Sequence, residues 1–370
     1  MDLAPIFDQY RGQVLVDARF QQAATFKEQK QALNAIISCR TSACGEIQVV
    51  CPACQETTSF YHSCGHRSCP KCQHHETSRW LERQRQKLLP VSYFLVTFTL
   101  PAELRALARY HPNLIFSLLF QASSQALQTA VLNPRYFGGH IGFTGILHTH
   151  NRRLDLHPHV HFVVPGFAYL PQKQLCIHSR HDYLIPERVL GRLFRGKFLF
   201  ALKEKGFYFT RSLYRKDWVV DCTVAGKGDP ALTYLSRYLY RGVISERDIL
   251  LHQDDQVTFC YTDSETKEKR TRTLSGPTFV QTLLQHVLPK GFRRARDFGF
   301  LHGNAKRTLL RIQLLLKPKI GETSPVKRPA FKCPCCGEET IIIAMGVFRP
   351  PLDQRSRSPP PSSELANAHK

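Results

Sequence analysis

The chain has 370 residues, 42% of them apolar, and sets 51 lysines and arginines against 29 acids, a formal net charge of +22. That length supports two or three folded units with full cores, and no apolar run approaches the roughly 18 residues of a membrane span, so no membrane partner is expected. So large an imbalance repels itself unless a polyanion neutralises it, which points to phosphate backbones. The charged first thirty residues lack an apolar signal core, so the cytoplasm is the expected compartment.

Residues 19–38, RFQQAATFKEQKQALNAIIS, are expected to form a helix, with Phe20, Ala24, Ala32, Ile36 and Ile37 on one apolar stripe. A cysteine-rich block follows. TSRWLERQRQKLLP, 77–90, reads as a basic helix ended by Pro90, whose ring cannot continue it. VSYFLVTFT, 91–99, is β-branched and aromatic, as in a buried strand. Residues 101–132 look helical, opening on Pro101 and Glu103. IGFTGILHTH, 141–150, and HPHVHFVV, 157–164, are strand-like runs joined by the polar turn NRRLDL, an antiparallel hairpin. Residues 186–205 form an amphipathic helix, with Val189, Leu193 and Leu202 toward a core and Arg188, Arg192 and Arg195 on a basic ridge. WVVDCTV, 218–224, is another strand, and a turn after it leads into a helix beginning near Ala231. Residues 277–288 and 305–316 look helical, and the tail from 349 has almost nothing to bury.

Thirteen cysteines without an export signal argue against disulfides, and their clustering, seven between 39 and 72 and three between 333 and 336, reads as metal binding. CPAC at 51–54 and CPKC at 69–72 are Cys-x2-Cys knuckles; Cys51, Cys54, Cys69 and Cys72 together complete a closed, structural tetrahedral zinc site. Cys44 and His62 lie nearby, and Cys39, Cys64 and His66 with one more ligand make a second zinc site, against the alternative of core packing or free thiols. CPCC at 333–336 has too few ligands for a closed site of its own, and either borrows His302 or binds nothing.

Side chains alternate along a strand, so His159 and His161 share one face and suit the grip of a divalent cation. A third ligand belongs on a neighbouring strand. If the hairpin is centred on 152–153, His148 lies opposite His157; His148 is the first candidate and His157 the second. In ALTYLSRYLYRG, 231–242, Tyr234 and Tyr238 stack on one helix face and Arg237 and Arg241 on a neighbouring one. Taken alone, tyrosines at that spacing are usually core packing. Beside a held cation, however, a phenol that is a poor nucleophile at neutral pH can attack phosphorus, forming a phosphotyrosine ester that conserves the bond energy.

HPHVHFVVPG and YLSRYLYRGVIS resemble the two signatures of the HUH (His-hydrophobic-His) single-strand endonucleases. Their order and surroundings are similar to the two-tyrosine rolling-circle transposases of bacteria, the insertion sequence 91 family. SCGHRSCPKCQ, LLPVSYFLVTFTLP, LGRLFRGKFL and FVQTLLQHVLPKGFRRARDFGFL agree, so the resemblance runs from about residue 20 to 315. It implies an α+β fold: an HUH-endonuclease core, an antiparallel sheet flanked by helices, with an N-terminal cysteine-rich zinc-binding domain. It further implies Mg2+ or Mn2+ on His159 and His161, Tyr234 and Tyr238 as nucleophiles that retain the 5′ phosphate, and Zn2+ in a module that grips DNA. The implied partners are single-stranded DNA at element ends and target, and, since no P-loop accompanies the motifs, host replication or helicase proteins. Family members commonly carry histidine before the third cysteine of Cys-x4-Cys-x2-Cys; here that position is Ser68, with His66 two residues earlier.

The expected organisation is 1–90 as N-terminal helix and zinc module, 91–318 as catalytic domain, 319–348 as a cysteine knuckle and 349–370 as a disordered tail. Competing readings are an HUH relaxase or replication initiator, a non-enzymatic zinc-dependent nucleic-acid-binding protein, and a metal-dependent hydrolase with water as nucleophile. For aromatic platforms under splayed bases, Phe194, Phe198, Phe207 and Tyr208 are candidates, in competition with core packing.

Overall fold

The strand Leu156–Pro165 is built by alternation. Val160, Phe162 and Val164 are fully buried on one side, while His159, His161 and Val163 point to the other. A computed structural model places this strand at the centre of a five-stranded sheet and describes residues 2–72, 74–179, 183–240, 244–263, 266–317 and 330–346. The sheet runs Ala295–Phe298, Phe143–His150, Leu156–Pro165, Tyr93–Thr99, Val220–Val224, with every neighbouring pair antiparallel. The fold is α+β.

Two layers of helix cover this sheet. Phe94, Val96, Phe98, Phe143, Val160 and Phe162 pack against Phe116, Leu119 and Phe120 of the helix Pro112–Leu132 and against Phe194 and Phe198 of the helix Glu187–Lys203. On the histidine face, Tyr93, Ile146 and Val163 meet Trp80 from the helix His74–Arg85, Ala231 and Leu232 from the helix Asp229–Tyr240, and Ile312 from the helix Lys306–Leu316.

Several elements differ from expectation. The helix over 19–38 is two pieces, Ala18–Gln21 and Phe26–Ser38, joined by a turn that an edge-on Phe20–Phe26 contact closes. The helix over 101–132 breaks at His111, whose non-helical backbone lets Pro112 start a new helix at the one position where a missing N–H costs nothing. Among the elements that lie where none was expected are a helix Leu3–Val16 burying Leu3, Ile6, Phe7, Tyr10 and Val14, the hairpin Phe167–Leu170 with Leu175–His178, and a three-stranded sheet of Ile249–Gln253, Gln256–Thr262 and Lys269–Ser275.

The chain divides into two compact units, one of residues 1–37 and 65–328, the other of 38–64 and 329–370. In the second, Glu46–Val50 is the middle strand, paired antiparallel with Thr57–Tyr61 on one side and Ile341–Gly346 on the other. The strands Glu46–Val50 and Thr57–Tyr61 and the carboxyl-terminal strand Ile341–Gly346, expected in separate modules, thus share one sheet. The tail from 349 lies outside the described residues. No described helix is long and apolar enough to cross a membrane.

Candidate metal centres and nucleic-acid site

Two antiparallel strands bring three imidazoles together. His148 pairs directly with His159 and Ile146 with His161, so His148 faces the pair. Ring centroids are 5.1 Å apart for His148–His159, 4.5 Å for His148–His161 and 4.8 Å for His159–His161. One nitrogen from each lies within 4.8 Å of the others. The register is two residues away from a hairpin centred on 152–153. A bulge between His148 and His150 and a turn closed by the Leu154 amide on Asn151, with Leu154 at φ +69°, shift the strands. His157, the second candidate, is not in the group; its Nδ1 accepts from Arg105 Nη2 at 2.8 Å.

The partners of these rings leave the right atoms for coordination. His159 Nδ1 donates to the His157 carbonyl at 2.6 Å, and His161 Nδ1 lies 2.7 Å from Thr97 Oγ1 on the paired strand. With the proton on Nδ1, each Nε2 keeps its lone pair, the arrangement by which backbone and hydroxyl partners orient metal-ligating histidines. Burial, then the neighbouring imidazoles, push His148 and His161 well below the usual histidine range. His159 is held at about 4, again chiefly by burial. All three are therefore neutral near pH 7, the form that binds metal.

The cysteines assemble differently from the sequence expectation. Cys51 and Cys54 do not close a site with Cys69 and Cys72; they meet Cys333 and Cys336. The reason is a repeated turn. In CPACQE and CPCCGE alike, the first cysteine's carbonyl accepts from the residue four positions on, Gln55 or Gly337, at 2.9 Å. Its amide donates to Glu56 or Glu338 at 2.9 and 2.8 Å, and Gln55 and Gly337 both take positive φ, +61° and +77°. Sulfur separations are 3.4 Å for Cys51–Cys336, 3.6 Å for Cys54–Cys333 and 3.8 Å for Cys54–Cys336. A tetrahedron with Zn–S bonds of about 2.3 Å has edges of about 3.8 Å, so the donor set fits zinc. The Cys51 thiol is drawn down to about 7, first by the Cys54 amide.

Cys69 and Cys72 are not part of that group. The Nδ1 of His66, expected as a ligand of a second zinc, accepts the Ser68 amide at 3.2 Å. His302, the alternative partner for CPCC, accepts the Asn304 amide at 3.2 Å instead. Cys335 is exposed and outside the group of Cys51, Cys54, Cys333 and Cys336, and Cys44 donates to the Ser38 carbonyl.

The helix Asp229–Tyr240 carries positions 234 and 238 on the histidine face of the sheet, since Ala231 and Leu232 pack with Ile146 and Val163. The side chains of Tyr234, Tyr238 and Arg237, and all of Arg241, lie outside the described residues. Arg188 and Arg192 are exposed on their helix, while Arg195 donates to the Lys216 carbonyl at 2.5 Å. Of the aromatic platform candidates, Phe194 and Phe198 are core, Phe207 packs beside it, and Tyr208 is 78% exposed.

Comparison with known proteins gives two family matches, "Transposase zinc-binding domain" over residues 9–100 and "Putative transposase" over 142–308. The "Putative transposase y4qJ" of Sinorhizobium fredii is 34% identical over 95% of this chain and 97% of its own. The "Transposase for insertion sequence element IS801" of Pseudomonas savastanoi is 28% identical over 85% of this chain and 83% of its own. Among solved structures, the conjugative relaxase TrwC in complex with oriT DNA aligns over 61% of this chain and 72% of that one, at 13% identity and a TM-score of 0.26, too slight a likeness to bear on the fold.

Proposed function

Because this chain belongs to the transposases of the insertion sequence 91 family, we propose that it cleaves and rejoins single-stranded DNA through a 5′-phosphotyrosine intermediate, for rolling-circle transposition. The observation that carries the reading is the neutral triad of His148, His159 and His161 on the sheet face that also receives the tyrosine helix. The three imidazoles would hold a divalent cation, Mn2+ or Mg2+, and an all-nitrogen donor set favours the former. When bound, the cation supplies Lewis-acid polarisation of the scissile phosphate.

The residues do the rest. The phenolic oxygen of Tyr234 or Tyr238 attacks phosphorus, the P–O3′ bond breaks, and the tyrosine's proton ends, through solvent, on the departing 3′ oxygen. The phosphate stays on tyrosine, so a later 3′ hydroxyl can reverse the step and join another strand without ATP. A second tyrosine permits a second cut while the first end is held. The exposed Arg188 and Arg192, with Arg237 and Arg241, track the backbone, and host helicase or replication proteins supply the single strand. The thiolate group of Cys51, Cys54, Cys333 and Cys336, closed by four sulfurs, is structural.

The test is a labelled single-stranded oligonucleotide carrying an element end, incubated with Mn2+ or Mg2+ and run on a denaturing gel. A protein–DNA conjugate is expected from the parent and none from Tyr234→Phe/Tyr238→Phe, with binding retained. Cleavage that survives in the double variant would mean water is the nucleophile and end the proposal.

A further inference from the structure

The motif LPKGFRRARDFGFLHGN, 288–304, has no part in the chemistry above, yet it is elaborately placed. Its strand Ala295–Phe298 is the edge of the central sheet, paired with Phe143–Ile146. Gly299 turns the chain at φ +56°, where an added Cβ would collide with the Ile141 carbonyl, so only glycine fits. Ahead of the strand, Arg67 fastens the motif by donating to the carbonyls of Leu288, Pro289 and Phe292 at 2.7, 3.0 and 3.0 Å.

The motif floors two adjoining hollows of ≈ 270 and ≈ 980 Å³ that share Phe292, Arg293 and Ala295. The first runs up to Arg67 and Trp80, the second past Asn113 and Ser117 to Asn304. Their charge is one-sided. Lys290, Arg293 and Arg296 pair with no carboxylate among the described residues. Of the two acids close by, Asp297 is taken by Lys87 at 2.6 Å and Thr144 at 2.7 Å, and Glu28 accepts the backbone amide of Lys290, not its ammonium. Arg296 points to the face of the sheet opposite the histidines, its guanidinium 4.4 Å from the Phe120 ring centre and 4.8 Å from that of Phe292. Rings in those positions pre-set the guanidinium and leave its outward N–H groups for a partner. Burial, then the charge of Arg293, lower the Arg296 pKa, so the cations oppose one another until an anion enters.

We propose that residues 288–304 form a second nucleic-acid contact, a groove at the sheet edge in which Lys290, Arg293 and Arg296 hold the phosphodiester backbone of a strand. The assignment rests on the reading of the chain as a DNA-processing enzyme and adds a holding site to it. The groove recognises linked phosphates, which single-stranded and duplex DNA both offer.

The test compares Lys290→Gln/Arg293→Gln, both exposed positions, with a control that removes equal charge at exposed Lys203 and Lys205. Arg296 is left intact because of its ring contacts. Binding of a labelled single strand and of a duplex is titrated at several salt concentrations. The groove variant should bind more weakly and lose about 1.4 from its log–log salt slope on single strands, at about 0.7 per phosphate contact, or about 1.8 on duplex if the duplex is the ligand. Its covalent conjugate yield at saturating oligonucleotide should match the parent. Slopes on both ligands indistinguishable from the control's would overturn the groove. Absence of a conjugate in the parent would overturn the tyrosine chemistry, and the binding slopes would still decide the groove.

Discussion

At the scale of single residues, the histidine triad is oriented by hydrogen-bond partners outside the three rings. The His157 carbonyl fixes the tautomer of His159, and Thr97 Oγ1 orients the ring of His161. Thr97→Val, nearly isosteric, should therefore weaken Mn2+ binding by about 10–100-fold and leave the fold intact, measured by the electron-spin signal of free Mn2+. His161→Ala should cost more than about 100-fold in conjugate formation. If instead Thr97→Val titrates like the parent, the hydroxyl is a bystander and the ring is oriented by packing alone. The pair His159 and His161 was legible because strand alternation is absolute. Its partner was legible only as a candidate, because one bulged residue in the turn moves every cross-strand neighbour, and nothing in NRRLDL announces a bulge.

At the scale of elements, a signal was present and went unread. CPACQE and CPCCGE are one six-residue knuckle written twice, complete with the residue at positive φ, but CPKC at 69–72 lies much closer in sequence to the first copy. Proximity along the chain misassigned the partner; strand pairing of Glu46–Val50 with Ile341–Gly346 decides it. Cys333→Ser should lower bound zinc by one ion per chain, read by mass spectrometry of the purified protein, whereas Cys335→Ser should leave it unchanged. Equal zinc in both variants would remove Cys333 from the site. The helix Leu3–Val16 was equally visible in principle, since Leu3, Ile6, Phe7, Tyr10 and Val14 recur at helical spacing. The strands of 249–275 were not, because half their residues are polar and the Asp254–Asp255 turn, both at positive φ, lacks the usual glycine.

At the scale of the whole molecule, four strands of the main sheet were legible as apolar runs, two of them as a hairpin, whereas the order of the sheet and the edge strand Ala295–Phe298, short and half charged, were not. Removal of residues 2–16 should be severe. It strips five buried side chains, at about 1.5–3 kcal/mol each, a sum comparable with the stability margin of an entire domain. Thermal melting of the truncated chain should be lowered and broadened; an unchanged midpoint would show the helix to be dispensable. The pairing of Cys51 with Cys336 has a temporal consequence. Some 280 residues of synthesis separate the first knuckle from the second, about 14–56 s at 5–20 residues per second. Throughout that interval the nascent amino-terminal thiols wait unsealed beside the ribosome, open to stray metals and oxidants, and a message broken late in translation yields a protein that never fastens its own clasp.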